Sequence, residues 1–535
     1  MRKYGFLALV LCICMTLCSC SKANSNLSDY SENPNGTQSG KGYTMHILYN
    51  ETDTFNPYAA TTKENRELCH LLYDPLITLG SDFEPILKIA QSATVDGKVC
   101  TVTLKSVLFS DGTRLTANDV LYSANLATAS STIYAKQLKE VESINIVDNT
   151  VVFNLKKADP FFVNLLDFPI IKANSENLKS EDNVILPPIG AGRYVLNEKN
   201  DALTPNSNYY GNPCTIKDIK LINAPGKESI DHYVSAGVVS LCYSDYSDNT
   251  VPRMSGLKVD VPLNNMVFIG VNMSHRLLKE PYLRYAISSV VDRTEIVNEA
   301  YYGNGTVANG PFNPLWKHSE GFQTLEPRGN TQISVENLEK IGYNNLDNEG
   351  YRVNSSNKRI SISLLVNSDN AARVAAGNLI VKSLESVGIK ATLVAVDFQT
   401  YLSRLQSGNF DIYLGEVKLL GNMDISPLVT PNSSAAYGIV DYSTPATSDS
   451  STEETDENVI SQPSGINLTA LNAVKGYYNG TYTLGDVASA FLSEMPIIPL
   501  MYRSGIAMFT PDIKGAPDVS VSDLFIDINN YSFKN

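Results

Sequence analysis

The residue types that enzymes use for covalent and metal chemistry are sparse along this 535-residue chain, and they are scattered. The sequence contains no GxSxG nucleophile elbow, no HExxH zinc motif and no GxxxxGK[ST] phosphate-binding loop. Its five histidines do not pair at helical spacing, and the neighbouring carboxylates Asp245 and Asp248 lie in a polar stretch typical of a solvated loop. We therefore expect a protein that is not an enzyme and that has no cofactor and no metal site.

The N-terminal segment ends in a motif that predicts a covalent modification of one cysteine. Two basic residues precede an apolar run from Phe6 to Leu17, which is shorter than the roughly 20 residues of a membrane span and has the layout of a secretory signal. The run ends in the letters LCSC at Cys20, which resemble the lipobox of bacterial lipoproteins. That resemblance implies cleavage of residues 1–19 and attachment of a diacylglycerol to the thiol of Cys20. An ordinary signal and a retained single-span anchor are the alternatives.

The other four cysteines, Cys69, Cys100, Cys214 and Cys242, are widely spaced. No CxxC pair occurs among them, so a structural zinc site is not expected. Outside the cell they could form one or two disulfides, or they could remain four buried thiols.

The charge of the chain limits its partners. Removing the two positive charges of the signal changes the net charge from −14 to −16. A surface this acidic argues against nucleic acid, whose phosphates require Lys and Arg, and against spreading on anionic lipid. The composition, 43% hydrophobic and 18% charged, fits a globular protein with a large core. We expect a monomer that a lipid anchor alone holds at the membrane.

The clearest secondary structure is predicted over residues 360–417. Short apolar runs at 360–366, 389–396 and 410–417 have strand length, and helical spacing lies between them, with Asp397 as an N-cap and Gly388 and Gly408 as stops. Strand and helix alternate here, which is typical of a mostly parallel α/β sheet. Ligands of such sheets bind outside the carboxyl ends of the strands, which draws attention to Glu416 and the loop after it.

Two stretches have too few large apolar residues to form a core. Residues 20–42 are rich in Ser, Asn and Gly, and we interpret them as a flexible tether between lipid and protein. Residues 441–465 are rich in Ser, Thr, Asp and Glu, and we interpret them as a disordered surface insertion. An acidic recognition loop is the alternative for this second stretch.

Several motifs follow one another from about residue 47 to 515. They are NP at 56–57, LYDPL at 72–76, EPILKIA at 84–90, FSDGT at 109–113 with DVLYS at 119–123, PPIGAGRYVL at 187–196, NSNYYGNP at 206–213, the segment 267–305, and the segment 492–515. In this order they resemble the bacterial extracellular solute-binding proteins of family 5, the peptide- and nickel-type binding components of ABC importers. The resemblance covers essentially the whole mature chain.

This resemblance implies an α/β, two-lobe, periplasmic-binding-protein-like fold (type II) with an extra subdomain in the first lobe. Two hinge strands join the lobes, which close over a solute and then dock on a membrane permease. By analogy, lobe I comprises residues 43–78, 187–264 and 494–535, the inserted subdomain comprises 79–186, and lobe II comprises 265–493.

The resemblance also suggests ligand contacts. In peptide binders of the family, an Asp of lobe II pairs with the α-amine of the ligand. The matching stretch here is GNMDISP, which makes Asp424 the candidate together with Asn422. The family's Trp is absent and Ile425 replaces its Tyr, which weakens the case for ordinary peptides. The other candidates are Glu416, the single tryptophan Trp316, and Tyr49, Tyr502 and Arg503 near the expected hinges. The alternatives are a turn or N-cap role for Asp424, a core or surface position for Trp316, and a structural ion pair for Arg503.

The sequence therefore predicts an extracytoplasmic receptor that is anchored to the outer face of the cell membrane by Cys20, or is periplasmic if there are two membranes. It is expected to bind oligopeptides and deliver them to an ABC permease. The alternatives are the same fold with another solute, such as a metal complex, a sugar or an opine-like compound, and a sensory lipoprotein without a permease.

Overall fold

A computed structural model describes residues 44–129, 131–246, 253–322, 324–431, 433–440, 469–515 and 517–534. The segment Tyr43–Lys534 forms one compact unit. The signal with Cys20, the predicted tether and the predicted insertion at 441–465 lie outside the described residues. Within the described ranges, no helix is long and apolar enough to cross a bilayer.

The described residues form a mixed α/β structure. Its helices are α1 (Lys63–Leu72), α2 (Ala117–Ala127), α3 (Lys227–Ser235), α4 (Pro281–Val290), α5 (Arg293–Glu295), α6 (Thr331–Lys340), α7 (Ala371–Ser386), α8 (Phe398–Gln406), α9 (Ser426–Val429), α10 (Ala470–Tyr478) and α11 (Leu484–Glu494). Tighter 3-10 turns and one π-helical turn add to these at Phe162–Leu165, Ser175–Asn177, Ile296–Ala300, Lys317–Ser319 and Ile528–Asn530.

The strands fall into one large sheet and several smaller ones. In chain order they are β1 (Thr44–Tyr49), β2 (Ile77–Leu79), β3 (Pro85–Leu87), β4 (Ala90–Asp96), β5 (Val99–Leu104), β6 (Val141–Val147), β7 (Thr150–Leu155), β8 (Tyr194–Leu196), β9 (Ala202–Pro205), β10 (Asp218–Asn223), β11 (Leu241–Ser244), β12 (Leu257–Val271), β13 (Gly305–Val307), β14 (Asn345–Leu346), β15 (Arg352–Val353), β16 (Ser361–Asn367), β17 (Lys390–Val396), β18 (Ile412–Lys418), β19 (Ile497–Phe509), β20 (Ile513–Lys514) and β21 (Ser532–Phe533).

Two long strands organise the molecule. The large sheet has the order β11-β19-β12-β18-β16-β17, with β13 added on β19. β12 and β19 run antiparallel from the pair Leu257 and Phe509 to the pair Gly270 and Ile497. β11 pairs with one end of this ribbon, and β18 pairs with the other end. The ribbon therefore connects two parts of the protein, each of which has its own core.

We call these parts lobe I and lobe II. Lobe I is built on the sheet β1-β10-β9-β8, and its core takes in Val261, Ala507 and Phe509 from the ribbon. Lobe II is built on β18-β16-β17, and its core takes in Phe268 and Ile498 from the other end. A third core fills the antiparallel sheet β4-β5-β7-β6, which we call the inserted subdomain. The predicted fold class is thereby confirmed.

The register of the ribbon shifts where the two lobes meet. Pro262 pairs with Ser504 and Met266 pairs with Tyr502, so the strands are irregular between these pairs. A proline cannot donate a ladder hydrogen bond, which favours an interruption at this point. The shift lies at the predicted boundary between residues 264 and 265, although the exact limits of lobes and subdomain stay a prediction.

The alternating stretch in lobe II folds as its local sequence predicts. β16 lies between β17 and β18 and is parallel to both. Asp397 accepts a hydrogen bond from the backbone of Thr400 at the start of α8. Gly388 and Gly408 have φ of 81° and 69° and end the two helices, because glycine enters this left-handed region without a Cβ clash.

The motif GAG at 190–192 requires glycine because a side chain would clash with neighbouring backbone, not because of an unusual backbone φ angle. A Cβ on Gly192 would lie 2.3 Å from the carbonyl carbon of Leu72, and one on Gly190 would lie 2.1 Å from the oxygen of Leu72. The chain therefore passes directly against the end of α1.

The four cysteines of the described chain are buried free thiols, which decides between the two possibilities left open by their spacing.

Candidate functional site

A cavity of about 230 Å³ with both charged and apolar walls opens in lobe I between α1, α3 and β11. Both helices begin close to the carboxyl ends of β1 and β10, which are parallel neighbours. In open α/β sheets this edge is where ligands bind. The cavity is lined by Ile47, Leu48, Lys63, Glu64, Glu67, Lys227, Ile230, Asp231, Leu241, Cys242, Tyr243, Ser244, Asp245 and Phe525.

The walls of this cavity carry charges of both signs. Lys63 donates a 2.6 Å hydrogen bond to the carbonyl of Tyr243 and lies 4.5 Å from the centre of that ring. Lys227 and Asp231 form a 3.4 Å ion pair on α3. Burial raises the pKa of Glu67 to about 8. Such a lining suits a solute that itself carries both charges.

Next to the cavity, Glu416 forms the centre of a buried charge cluster. Its carboxylate accepts hydrogen bonds from Arg503 at 2.8 Å, from Arg373 at 3.1 Å and from Asn265 at 2.9 Å. Burial by itself would raise the pKa of Glu416, but Arg503 and Arg373 outweigh it and hold the pKa below its ordinary value. Both carboxylate oxygens are therefore engaged within the protein.

Arg503 connects this cluster to lobe I. It lies on β19 inside the register shift of the ribbon, and its second guanidinium nitrogen donates to the backbone carbonyl of Asp245. Asp245 also lines the cavity. The charge cluster and the cavity thus meet at Asp245, which the sequence had assigned to a solvated loop.

The predicted tyrosines lie on either side of this region. Tyr49 ends β1 next to the cavity residue Leu48, and its ring stacks on Phe55 at 6.0 Å. Tyr502 is buried on β19, and its hydroxyl donates to the carbonyl of Pro311 at 2.8 Å. Tyr49 therefore lies at the carboxyl end of β1, whereas Tyr502 is held inside the β12–β19 ribbon.

Asp424 joins lobe II to the inserted subdomain. Its carboxylate forms a 3.0 Å ion pair with Lys157, and the same ammonium lies 3.8 Å from the centre of the Tyr478 ring. Ser426 donates to the other oxygen through its backbone at 2.9 Å. Burial would raise the pKa of Asp424, but Lys157 and Ser426 keep it below its ordinary value. An ammonium group of the chain itself thus occupies the position predicted for a ligand amine.

Asn422 and Trp316 belong to the same contact between lobe II and the subdomain. Asn422 donates to Asp159 at 2.7 Å. Trp316 has an exposed fraction of 0% and packs edge-on against Phe161, with ring centres 4.8 Å apart. This tryptophan is therefore a core residue in the structure, and no face of its ring is open for stacking on a ligand.

Sequence reasoning missed Lys63, Glu67, Lys157 and Arg373. Lys63 and Glu67 stand four positions apart on α1 and look like a surface ion pair in the sequence. Lys157 and Asp424 are 267 positions apart in the sequence, so no local pattern predicts their ion pair. No group of three or more His, Cys, Asp or Glu side chains suited to a metal ion occurs among the residues with described coordinates.

Two α/β lobes joined by a shared pair of long strands, with a cavity beside that pair in lobe I, define a periplasmic-binding-protein-like solute receptor. The family model "Bacterial extracellular solute-binding proteins, family 5 Middle" matches residues 84–434. The chain belongs to this family, as the ordered motifs predicted.

Named relatives are distant but cover much of the chain. Oligopeptide-binding protein AppA of Bacillus subtilis is 24% identical over 385 residues, which is 68% of this chain and 70% of that protein. Periplasmic murein peptide-binding protein MppA of Escherichia coli is 24% identical over 551 residues, which is 95% of this chain and 97% of that protein. The crystal structure of NikA from Brucella suis in complex with Fe(III)-EDTA matches with a TM-score of 0.66 at 17% identity, covering 92% of this chain and all of the other.

Proposed function

We propose that this protein is the substrate-binding component of an ABC importer and that its solute is an oligopeptide. The observation that carries the proposal is the cavity of about 230 Å³ at the strand ends of lobe I, because its lysines and carboxylates match the two charges of a peptide. Two relatives are named for binding oligopeptides and murein peptides, which supports the same class of solute.

The cavity alone is too small for an extended peptide. At ~30 Å³ per water molecule it holds about eight waters, which corresponds to one side chain or terminus. We propose that the rest of the solute lies between the lobes, past Tyr49 and toward Asp424. A solute amine at Asp424 has to displace Lys157, so solutes with a strongly basic N-terminus are favoured over blocked ones.

A nickel or other metal complex is the second candidate solute. A relative named as the nickel-binding periplasmic protein of Escherichia coli is 24% identical over 365 residues, and the NikA structure holds a chelated iron. A chelate also carries carboxylates, which the lysines of the cavity and Lys157 could receive.

Mass spectrometry of solute that is co-purified with the protein separates these candidates. We expect a mixture of short peptides that are recovered intact, since the protein is proposed to bind without cleaving them. Calorimetry with a pool of di- to hexapeptides should then show saturable binding that Asp424→Ala weakens. Recovery of a metal chelate, or the absence of binding to every peptide pool, contradicts the peptide proposal.

We further propose that Cys20 carries the lipid that holds the receptor on the outer face of the membrane, beside its permease. A short tether raises the local concentration of the receptor at that permease. Labelling of cells with an alkyne fatty acid should mark the wild-type protein and not Cys20→Ser. Label that persists on Cys20→Ser contradicts lipidation at this residue.

A further inference from the structure

We propose that the cavity in lobe I contains a subsite for an organic cation, an alkylammonium or guanidinium group, whose charge pairs with Glu67. The inference rests on the proposed function, because the cation would be a basic side chain or terminus of the bound solute. It assigns to the solute a positively charged group at a position that none of the residues predicted from the sequence explains.

The first argument is that Glu67 lacks a close partner. Its Oε1 atom is buried and accepts no hydrogen bond. The side chain as a whole is 22% exposed and lines the cavity. Lys63 lies 4.0 Å away, and its ammonium is held by the carbonyl and the ring of Tyr243 instead. An unsatisfied buried carboxyl group is costly, and an incoming cation would remove this cost.

The second argument is the balance of charge around Glu67. Carboxyl groups outnumber ammonium groups by four to two in the cavity lining. The titratable and charged groups that face it are Lys63 and Glu64 from α1, Lys227 and Asp231 from α3, and Cys242, Tyr243 and Asp245 from β11 and the residue after it. A positive group entering the cavity therefore gains more attraction than a negative one.

The third argument is the apolar part of the wall. It is formed by Ile47, Leu48, Ile230, Leu241 and Phe525. Aliphatic stems of basic side chains cover apolar surface while their charged ends reach a polar group. A cavity that holds about eight waters accommodates the stem and head of one lysine or arginine side chain.

The protonation state of Glu67 gives the subsite a pH dependence. With a pKa of about 8, the carboxyl group of the empty cavity is protonated at neutral pH. A bound cation stabilises the carboxylate, so binding releases one proton to solvent. The affinity for a cation should therefore rise as the pH increases toward 8 and then level off.

A small probe tests the subsite without any peptide. The methyl resonances of Ile47, Ile230 and Leu241 are followed by NMR while n-butylammonium is added, with 1-butanol as the neutral control. We expect saturable shifts with n-butylammonium only, and an apparent affinity at least tenfold lower for Glu67→Gln. The matched variant Glu64→Gln removes a carboxylate of the same cavity and should weaken binding less than threefold. Equal shifts with 1-butanol, or full binding by Glu67→Gln, overturn the proposal.

A pair of tripeptides separates failure of the subsite from failure of the proposed function. Ala-Lys-Ala should bind at least tenfold more tightly than Ala-norleucine-Ala in calorimetry, and Glu67→Gln should abolish the difference. Equal binding of the two peptides overturns the subsite and leaves peptide binding in place. If neither peptide binds but n-butylammonium does, the subsite stands and the peptide proposal fails.

Discussion

Replacement of Glu416 by glutamine tests how strongly the buried charge cluster stabilises the β12–β19 ribbon and its neighbour β18. The carboxylate is 11% exposed and receives three hydrogen bonds, two of them from arginines. A glutamine keeps the shape of the side chain but has only one acceptor oxygen. Its NH2 group would face the N–H groups of one of the two guanidinium groups, and these donors cannot bond to each other. Removal of one partner from a buried ion pair costs about 3–5 kcal/mol. We take about 3 kcal/mol, because Arg503 still donates to the carbonyl of Asp245.

The cost should appear as local opening of the ribbon. At about 1.4 kcal/mol per factor of ten, a loss of about 3 kcal/mol makes the amides of β18 and the facing part of β19 exchange roughly 100-fold faster. Native-state hydrogen exchange with mass spectrometry measures this directly. Glu349→Gln is the matched control, since Glu349 pairs with Arg359 on the surface and its loss should leave exchange in these strands unchanged. Acceleration below threefold in Glu416→Gln would refute the claim that this cluster stabilises β18 and β19.

Three further predictions concern single residues elsewhere. Lys157→Met should raise the pKa of Asp424, because the ammonium group that opposes the effect of burial is lost while the hydrogen bonds from Ser426 remain. Carboxyl NMR titration measures this shift, and an unchanged pKa contradicts the pairing. In the wild type, the free energy of unfolding should fall as the pH rises from about 4.5 to about 8, because the unfolded state loses the proton of Glu67 before the folded state does. Glu67→Gln lacks this loss, so its melting temperature should rise relative to that of the wild type between pH 5 and pH 8. A difference in melting temperature between the two proteins that is the same at both pH values contradicts this prediction. Gly192→Ala should cost about 1–3 kcal/mol, because its Cβ would lie 2.3 Å from a backbone carbon at the end of α1. Gly485→Ala in α11, whose Cβ would make contacts no shorter than 3.6 Å, is the control for thermal unfolding, and equal effects of the two contradict the packing argument.

The sequence predicts best what is decided locally. Asp397 and Gly408 lie at the ends of one helix, and their cap and stop roles depend on a few neighbouring backbone groups. The two-lobe fold, in contrast, was predicted from the resemblance of the ordered motifs to a known family. Glu416 was placed correctly at the end of β18, but its partner Arg503 is 87 positions away, so the sequence could not show that its charge is already neutralised.

The sequence also could not predict the direction in which the side chains of the site residues point. The sequence left open whether Trp316 lines a cleft or lies in the core, and the structure places its ring in the core beside Phe161. Glu67 looked like half of a surface pair, yet its Oε1 atom is buried in a cavity. Which face of an element meets another lobe depends on the tertiary arrangement, and periodicity alone does not specify it.

The strand β19 has a consequence for how the protein folds. All thirteen of its residues are buried, and it follows every other strand of the large sheet in the sequence. It lies between β11 and β12, so neither lobe can complete its part of the sheet until β19 is present. Both lobes thus share one strand that comes late in the sequence, and we expect their unfolding to be coupled through it.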